Sequence, residues 1–450
     1  MIKKDFKNLK KIHFIGVSGI SMSGLAKFLL INGVKVSGSD LLETSITHDL
    51  INLGLIFYSH HSAENIDKDT QMVVFSGAIK QDNAEIIKAR DIGIEVLERS
   101  EFLGLFSKLF KNVFAISGSH GKTTTTAFLS KILLKAGLNP TIALGGEFAD
   151  LNTNFVIGKR EYLVCEACEY RESFNYLNPT FSVITNIEAE HLDYYKTKEN
   201  VEDAFVKFGN LAKNKIVCFE SCKKVLNKCN KDLIVCGKSI FNDYSYIYVE
   251  ETKSGQRFKV LKRGKLFGYF EINLKGEYNL KNALLSIAVS DLIRVKVNDI
   301  RAGLLDFKGV KRGNELIGKI DNVSVVADYA HHPTEIKNSL KNAKEHYGKV
   351  LCVFQPHTFS RTKTLMSEFM DAFNDCDNVF VFKTYPARER YNAKANGKVL
   401  CDAIKNENKK YFASKQKLIK EIFGQVKNFN LVLVLGAGDI YEIIKKSLNK

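Results

Sequence analysis

The sequence predicts an α/β protein of three domains, each built on a parallel sheet covered by helices. Two observations support this fold class. The chain has 450 residues, too many for one ordinary hydrophobic core and suited to about three domains. Short apolar runs alternate with segments of helical periodicity, which is typical of parallel sheets with helices on both faces. We place the domains at 1–107, 108–308 and 309–450.

The first domain is predicted to be Rossmann-like. Ile12–Ile15 forms a strand that leads into a glycine-containing turn and the helix Met22–Ile31. A second strand ends near Asp40, a position suited to a ribose hydroxyl. The turn departs from the G-x-G-x-x-G pattern because Ser18 and Ser21 occupy two glycine positions. It is compatible with a nucleotide-sugar diphosphate, with a nicotinamide cofactor, or with a plain strand–helix turn.

The second domain is predicted to be a parallel sheet of the P-loop ATPase type, and the third is predicted to be Rossmann-like. The strand Val113–Ile116 leads into glycines and the helix Thr123–Ala136. From about Cys218 to Asn273, short β-prone pieces separated by turns predict a small added antiparallel sheet. Strands of the third domain are predicted at Val323–Ala327, Val350–Phe354, Val379–Phe382 and Leu431–Leu435.

The amino-acid composition favours a globular protein and argues against a membrane-spanning or nucleic-acid-binding one. The chain is 45% hydrophobic and 26% charged, which is typical of a globular protein, and no apolar stretch reaches the ~18 residues of a membrane span. Nine cysteines without framework spacing indicate a reduced cytoplasm. The net charge of +16 comes from dispersed lysines, which favours a lysine-rich surface over a nucleic-acid interface. We expect a monomer or a weak homodimer.

The strongest local signal is the sequence Gly118-Ser119-His120-Gly121-Lys122-Thr123-Thr124 between an apolar strand and a helix. The glycines permit a tight turn whose N–H groups point inward, and Lys122 can reach the β- and γ-phosphates. The Thr123 hydroxyl can bind Mg²⁺. The first glycine lies three residues before the second, closer than in the usual phosphate-binding loop. The alternative to a phosphate-binding loop is a purely structural glycine turn followed by a surface lysine.

Two side chains follow strands of the second domain and could share a metal with the Thr123 loop. Glu166 follows Leu163–Cys165, and His191 follows the strand Phe181–Ile184 after a short loop. The carboxyl ends of parallel strands face the ligand crevice, and carboxylate ligands suit Mg²⁺. Taken singly, each is an ordinary polar residue at a strand end.

Cys165 and Cys168 are predicted to be buried packing cysteines.

Histidines and an arginine lie just beyond two strands of the third domain. One segment runs from Asp328 to Pro333 and the other from Gln355 to Arg361. Paired imidazoles can indicate zinc, but no thiol or carboxylate stands at a typical zinc spacing nearby. We favour contacts to anions and substrate, with Arg361 holding a carboxylate bidentately.

With these motifs in order along nearly the entire chain, the sequence resembles the Mur ligase family. The pairing of 328–335 with 354–361 most resembles its alanine-adding members. The motifs are 12–24, 36–40, 118–125, 166–174, 185–191, 276–283, 328–335 and 354–362.

The resemblance implies an ATP-dependent ligase that joins L-alanine to the lactyl carboxylate of UDP-N-acetylmuramate through an acyl phosphate, with ATP and Mg²⁺ as cofactors. It implies catalytic roles for Lys122, His191 and His332, and metal binding by Thr123, Glu166 and His191. It implies UDP-sugar binding by Gly16, Ser18, Gly19, Asp40 and Ser76, and L-alanine binding by His357 and Arg361. It implies ATP binding by Gly118, Ser119, His120, Gly121, Lys122, Thr123, Thr124, Asn279, Asn282, Arg312 and Asp328.

The chain departs from the commoner family pattern in several places. Tyr278 replaces a histidine before Asn279, Gly313 replaces an arginine, and Thr358 replaces an arginine before Arg361. Lys207 is a candidate for carbamoylation. The alternatives are a sibling ligase that adds another amino acid or a peptide, a nicotinamide-dependent dehydrogenase, and a nucleic-acid-binding ATPase. The dehydrogenase leaves the Lys122 loop unexplained.

Overall fold

The computed structural model describes residues 8–146, 148, 153–309, 313, 315–387 and 389–448, with Asp193 described by its backbone alone. The chain divides into two compact units between Lys308 and Gly309. Within the described residues the strands form three sheets, two in the first unit and one in the second. Each sheet alternates buried strands with helices, as the sequence predicts.

The first sheet is parallel throughout, in the order β3-β2-β1-β4-β5. Its buried strands are short and apolar, and its first helix begins directly after a glycine turn. The strands are β1 Lys11–Ile15, β2 Lys35–Ser39, β3 Ile56–Tyr58, β4 Met72–Phe75 and β5 Glu95–Glu98. The helices are α1 Ile20–Ile31, α2 Ser45–Asn52, α3 Ala84–Asp91 and α4 Arg99–Ser107.

The second sheet has the order β15-β14-β13-β12-β11-β10-β6-β9-β7-β8. Strands β7 and β9 to β13 run parallel with β6, whereas β8, β14 and β15 are attached by antiparallel pairing. The strands are β6 Asn112–Ser117, β7 Pro140–Ala143, β8 Phe155–Val156, β9 Lys159–Glu166, β10 Phe181–Ile184, β11 Lys215–Phe219, β12 Leu233–Gly237, β13 Tyr244–Glu251, β14 Gln256–Lys262 and β15 Lys265–Ile272. The helices are α5 Lys122–Lys135, α6 Leu192–Tyr195, α7 Lys198–Asn210, α8 Lys223–Leu226, α9 Glu277–Leu292 and α10 Val297–Asp306.

The first two sheets share one continuous apolar core. Phe28 of the first sheet's layer packs edge-on against Phe106, with ring centroids 4.8 Å apart, and Phe106 in turn contacts Phe155 of the second sheet. Gly24 lies so close to Phe155 that a Cβ there would come within 2.4 Å of its ring. The interface between the two sheets therefore requires glycine at this position.

The third sheet, in the second unit, has the order β16-β17-β21-β18-β19-β20, with only β16 antiparallel. Two separate apolar clusters cover its two faces. The strands are β16 Glu315–Ile320, β17 Val323–Asp328, β18 Val350–Phe354, β19 Asn378–Phe382, β20 Lys409–Phe412 and β21 Leu431–Leu435. The helices are α11 Pro333–Tyr347, α12 Phe359–Thr364, α13 Met366–Met370, α14 Gly397–Ala403, α15 Lys415–Gln425 and α16 Ile440–Leu448.

The predicted fold class is confirmed. The antiparallel strands predicted between Cys218 and Asn273 extend the edge of the central sheet and do not form a separate layer. The domain limits at 107 and 308 stay a prediction. Among the described helices, none combines the length and the apolar character that crossing a membrane requires.

Candidate functional site

The loop between β6 and α5 has the backbone of a phosphate-binding turn. Gly118 has φ of 136° and Gly121 has φ of 82°, both in the region that favours glycine. A Cβ at Gly118 would lie 2.0 Å from the Thr185 hydroxyl, and one at Gly121 would lie 2.5 Å from the Asn282 amide oxygen. Both glycines are therefore required by conformation and by space. The loop opens α5 at Lys122, so the helix N-terminus faces the turn.

Lys122 folds back over this loop towards a buried acid. Its ammonium donates to the carbonyl oxygens of Gly118 and Ser119 and lies 3.0 Å from a carboxylate oxygen of Glu169. Burial alone would lower the pKa of Lys122, but the negative charge of Glu169 outweighs it and raises that pKa above its ordinary value. The lysine stays charged and is available to a phosphate.

An acidic cluster lies beside Lys122. Glu169, Glu190 and His191 each offer a ligand atom, and these atoms lie within 4.8 Å of one another. The Glu169 side chain is only 4% exposed, and burial would raise its pKa, but Lys122 and His191 hold the pKa below its usual value. Its second carboxylate oxygen has no hydrogen-bond partner among the residues that the structure describes. Sequence reasoning did not single out Glu169 or Glu190.

Glu166 has different neighbours from His191. Its carboxylate accepts the N–H of Gly145 at 2.6 Å and a hydrogen bond from the Thr123 hydroxyl. Burial raises the pKa of Glu166, although these contacts and Lys122 oppose that effect. Of the predicted metal ligands, the structure thus brings Thr123 and Glu166 together and groups His191 with Glu169 and Glu190.

The remaining loop residues are tied to the segment that follows β10. The Ser119 hydroxyl accepts the N–H of Glu188 at 2.9 Å, and the His120 N–H donates to the Asn186 amide oxygen at 2.8 Å. The His120 ring lies 3.4 Å from carboxylate oxygens of Glu188 and Glu190. These contacts hold the predicted loop against the acidic cluster. Thr124 lies in the first turn of α5.

Two of the predicted ATP-binding residues lie on α9 and are buried. Asn279 donates to the Lys275 carbonyl at 2.7 Å, and Asn282 abuts Gly121 of the loop. Asp328 ends β17 in the other unit, where its carboxylate accepts the Ala330 N–H at 2.8 Å. Arg312 lies outside the described residues.

The predicted UDP-sugar residues gather at the carboxyl edge of the first sheet. Gly16 has φ of 83° and lies against Ser76, where a Cβ would approach the serine Cβ to 3.1 Å. The Asp40 carboxylate accepts the N–H groups of Ser18 at 3.0 Å and Leu41 at 2.8 Å. Asp40 therefore fixes the conformation of the loop. The ribose contact predicted for Asp40 and the UDP-sugar contact predicted for Gly19, the N-cap of α1, stay predictions.

The second unit brings the predicted alanine-binding residues into contact. An Arg361 guanidinium nitrogen lies 3.2 Å from His357 Nδ1, and the His357 ring stacks on Tyr385. Burial, followed by the charges of Arg361 and His331, lowers the pKa of His357 to about 4. His357 is therefore neutral at physiological pH, and Arg361 supplies the positive charge.

Two further residues of the second unit have defined structural positions. His332 is the N-cap of α11, where its Nδ1 accepts the Thr334 N–H at 3.4 Å. Its predicted catalytic role stays a prediction. Thr358 has φ of 68° and ψ of 147°, a conformation normally taken by glycine, immediately before α12. This strained residue directly follows His357, and its hydroxyl accepts the N–H of Arg361 at 3.4 Å.

One expectation about the cysteines is wrong. Cys165 is buried as predicted, but Cys168 is exposed, because the chain leaves β9 at Glu166 and then turns.

Lys207 lies in the last turn of α7, its side chain is 63% exposed, and its ammonium lies 3.3 Å from a carboxylate oxygen of Glu172. Its carbamoylation stays a prediction.

A glycine turn with a lysine at a helix N-terminus, on the carboxyl edge of a parallel sheet, defines a phosphate-binding α/β protein. Three family models cover most of the chain: "Mur ligase family, catalytic domain" over 11–111, "Mur ligase middle domain" over 116–290, and "Mur ligase, glutamate ligase domain" over 314–438. The chain belongs to the Mur ligase family.

Individual relatives agree with this membership. The UDP-N-acetylmuramate–L-alanine ligase of Clostridium kluyveri is 40% identical over 99% of both chains, and that of Clostridium tetani is 41% identical over 97% of this chain and 98% of its own. The crystal structure of UDP-N-acetylmuramate–alanine ligase from Thermotoga maritima superposes with a TM-score of 0.79 at 29% identity, covering 98% of each chain. A murein peptide ligase from Psychrobacter arcticus, at 22% identity and a TM-score of 0.72, shares the fold.

Proposed function

We propose that this protein is an ATP-dependent ligase that joins L-alanine to the lactyl carboxylate of UDP-N-acetylmuramate, a step of peptidoglycan precursor synthesis and hence of cell-wall growth and division. The observation that carries the proposal is the Lys122 loop beside its buried acids, in a chain whose full length aligns with ligases of this name. Amide formation from a free carboxylate needs an activated acyl group, and the phosphate loop provides the site for the triphosphate that activates it.

The reaction balances in two steps. A lactyl carboxylate oxygen attacks the γ-phosphorus of ATP, the bond to the β-phosphate oxygen breaks, and an acyl phosphate and ADP result. The amine of L-alanine then attacks the acyl carbon, inorganic phosphate leaves, and one proton is released. The first step brings two anions together, so Lys122 offsets their repulsion and the charge that develops on the leaving oxygen.

The residues beside the loop fit a magnesium ion. Two carboxylates and one imidazole converge at Glu169, Glu190 and His191, and within the described part of the chain a buried oxygen of Glu169 has no hydrogen-bond partner. The hydroxyl of Thr123 and the carboxylate of Glu166 form a neighbouring oxygen pair. We infer that the cluster of Glu169, Glu190 and His191 and the pair of Thr123 and Glu166 are the groups that hold Mg²⁺. When bound, Mg²⁺ would neutralise charge on the phosphate oxygens.

The other predicted residues take parts in the same scheme. As the family resemblance implies, we assign Asn279, Asn282, Asp328 and Arg312 to ATP binding and His332 to catalysis. The UDP-sugar binds at Gly16, Ser18, Gly19, Asp40 and Ser76, on the edge where ligands of parallel sheets bind.

The amino acid binds in the second unit. Arg361 pairs with the alanine carboxylate while the neutral ring of His357 lies beside it. A neutral imidazole next to the guanidinium leaves the arginine as the positively charged partner of an incoming carboxylate. We infer that the protein acts in the cytoplasm on small-molecule substrates, without nucleic acid, as a monomer or weak homodimer.

A ligation assay with amino-acid alternatives tests the proposal. Protein, Mg²⁺, ATP and UDP-N-acetylmuramate are incubated with L-alanine, glycine, L-serine or the tripeptide L-alanyl-γ-D-glutamyl-meso-diaminopimelate, and the products are weighed by mass spectrometry. We expect the L-alanine adduct to form fastest. Preference for the tripeptide would identify a sibling ligase instead. With ¹⁸O in the lactyl carboxylate, one label must appear in the released phosphate, and its absence would exclude the acyl phosphate.

A further inference from the structure

Arg99 lies at the edge of the first sheet that carries the predicted UDP-sugar residues. Strand β5 ends at Glu98 and α4 begins at Arg99 without an intervening loop. Because β5 runs parallel to β4, and β4 to β1, the carboxyl end of β5 opens on the same edge as the turn after Ile15 and as Ser76. Sequence reasoning assigned Arg99 no role.

The Arg99 side chain reaches the first turn of α1. One guanidinium nitrogen donates to the Ser21 hydroxyl at 3.3 Å, and Ser21 is the second residue of that helix. Ser21 is one of the two serines that replace glycines in the dinucleotide fingerprint. The departure from the family pattern therefore provides an acceptor that orients this arginine across the turn.

Arg99 lacks an acidic partner among the described residues, although two acids are its neighbours in sequence. Glu98 and Glu101 form a reciprocal capping box, in which the Glu98 N–H donates to the Glu101 carboxylate at 2.7 Å. Both carboxylates are thus engaged with backbone N–H groups. A half-buried guanidinium whose one hydrogen-bond partner among the described residues is a neutral hydroxyl is suited to bind an anion.

We propose that Arg99 binds the diphosphate of the UDP-sugar. The inference rests on the proposed function and adds a residue to its UDP-sugar site. The diphosphate is the favoured anion because Ser21, to which Arg99 is oriented, lies in the first turn of the helix that follows the glycine turn, where diphosphates bind in such sheets. Arginine suits this ligand because its planar fork pairs with two phosphate oxygens at once.

Calorimetric titration of the full chain with UDP, UDP-N-acetylglucosamine and UDP-N-acetylmuramate tests the inference. The variants are Arg99→Gln, Arg99→Lys and the matched control Arg90→Gln, an exposed arginine of the same domain that bonds Gln81. We expect Arg99→Gln to lower the affinity for all three nucleotides by about tenfold or more and Arg99→Lys to lower it less. The affinity for ATP should stay unchanged.

Each other outcome has a definite meaning. Equal UDP affinity in Arg99→Gln and Arg90→Gln overturns the inference. Weakening of UDP-N-acetylmuramate alone, with UDP unaffected, assigns Arg99 to the lactyl carboxylate and overturns the diphosphate contact. If Arg99→Gln fails to fold, Arg99→Lys decides, since unchanged UDP affinity there would refute a bidentate contact. A wild-type protein that binds none of the three nucleotides would refute the proposed function itself.

Discussion

Replacing Glu169 by glutamine tests whether the acid beside Lys122 exchanges partners when nucleotide binds. The Lys122–Glu169 pair is 3.0 Å long, and the two side chains are 18% and 4% exposed. Removing one partner of a buried ion pair costs about 3–5 kcal/mol. Glutamine keeps an oxygen acceptor and Glu190 also acts on Lys122, so we expect the free energy of unfolding to fall by about 2 kcal/mol.

The affinity for ATP tests the exchange of partners more directly than the free energy of unfolding does. A carboxylate near the phosphates repels them when no metal is present, so Glu169→Gln should bind ATP at least as tightly as wild type without Mg²⁺. With Mg²⁺, the variant lacks a ligand and should bind ATP at least tenfold more weakly than wild type. Urea denaturation and calorimetry measure the two effects. Glu172→Gln is the matched control, because Glu172 pairs with the exposed Lys207. Identical behaviour of the two variants would refute the exchange of partners.

Three further predictions follow from other parts of the structure. Arg361→Ala should raise the apparent KM for alanine at least tenfold while leaving that for ATP unchanged in steady-state kinetics, and an unchanged alanine KM would remove Arg361 from the site. Gly121→Ala should weaken ATP binding, because alanine disfavours φ of 82° by about 1 kcal/mol and its Cβ meets Asn282 at 2.5 Å; calorimetry showing wild-type affinity would contradict this. Glu85→Ala should lower the free energy of unfolding by about 3–5 kcal/mol in urea, against little change for the exposed Asp91→Ala on the same helix.

The Glu85 prediction also has a pH dependence of known sign. Glu85 is fully buried and bonds His13, Ser39, His61 and Asn65. Burial would raise its pKa, but these partners, His13 foremost, hold it below the ordinary value. A depressed pKa stabilises the fold above the unfolded-state value of about 4.3 and loses that contribution as pH falls through the folded-state value. The stability difference between wild type and Glu85→Ala should therefore shrink in acid.

The features that sequence reasoning predicted are those encoded locally. The strand, glycine turn and helix around Lys122 lie within a few consecutive residues, and α5 begins and ends within one residue of the predicted limits. The His357–Arg361 contact follows from a spacing of four residues beside a strand end. Alternation of apolar runs with helical segments was enough to predict the sheets, because buried parallel strands need continuous apolar sequence.

The features that sequence reasoning missed depend on contacts between distant residues. Lys122 and Glu169 are separated by 47 positions, and the motif 166–174 that contains Glu169 does not by itself indicate which of its residues meets the lysine. Arg99 reaches Ser21 across 78 positions. The exposure of Cys168 depends on the turn after β9, where Arg171 adopts φ of 53°, a local conformation that no propensity rule assigns to arginine.

The central claim is that a triphosphate held by the Lys122 loop activates the sugar-borne carboxylate for attack by an amine. Its most direct test is ADP formation measured with Mg²⁺ while ATP, UDP-N-acetylmuramate and L-alanine are each omitted in turn, for wild type and for Lys122→Ala. We expect sustained ADP formation only in the complete wild-type mixture, with folded but inactive Lys122→Ala. Sustained ADP formation without the muramyl nucleotide, or full activity of the lysine variant, would contradict the claim.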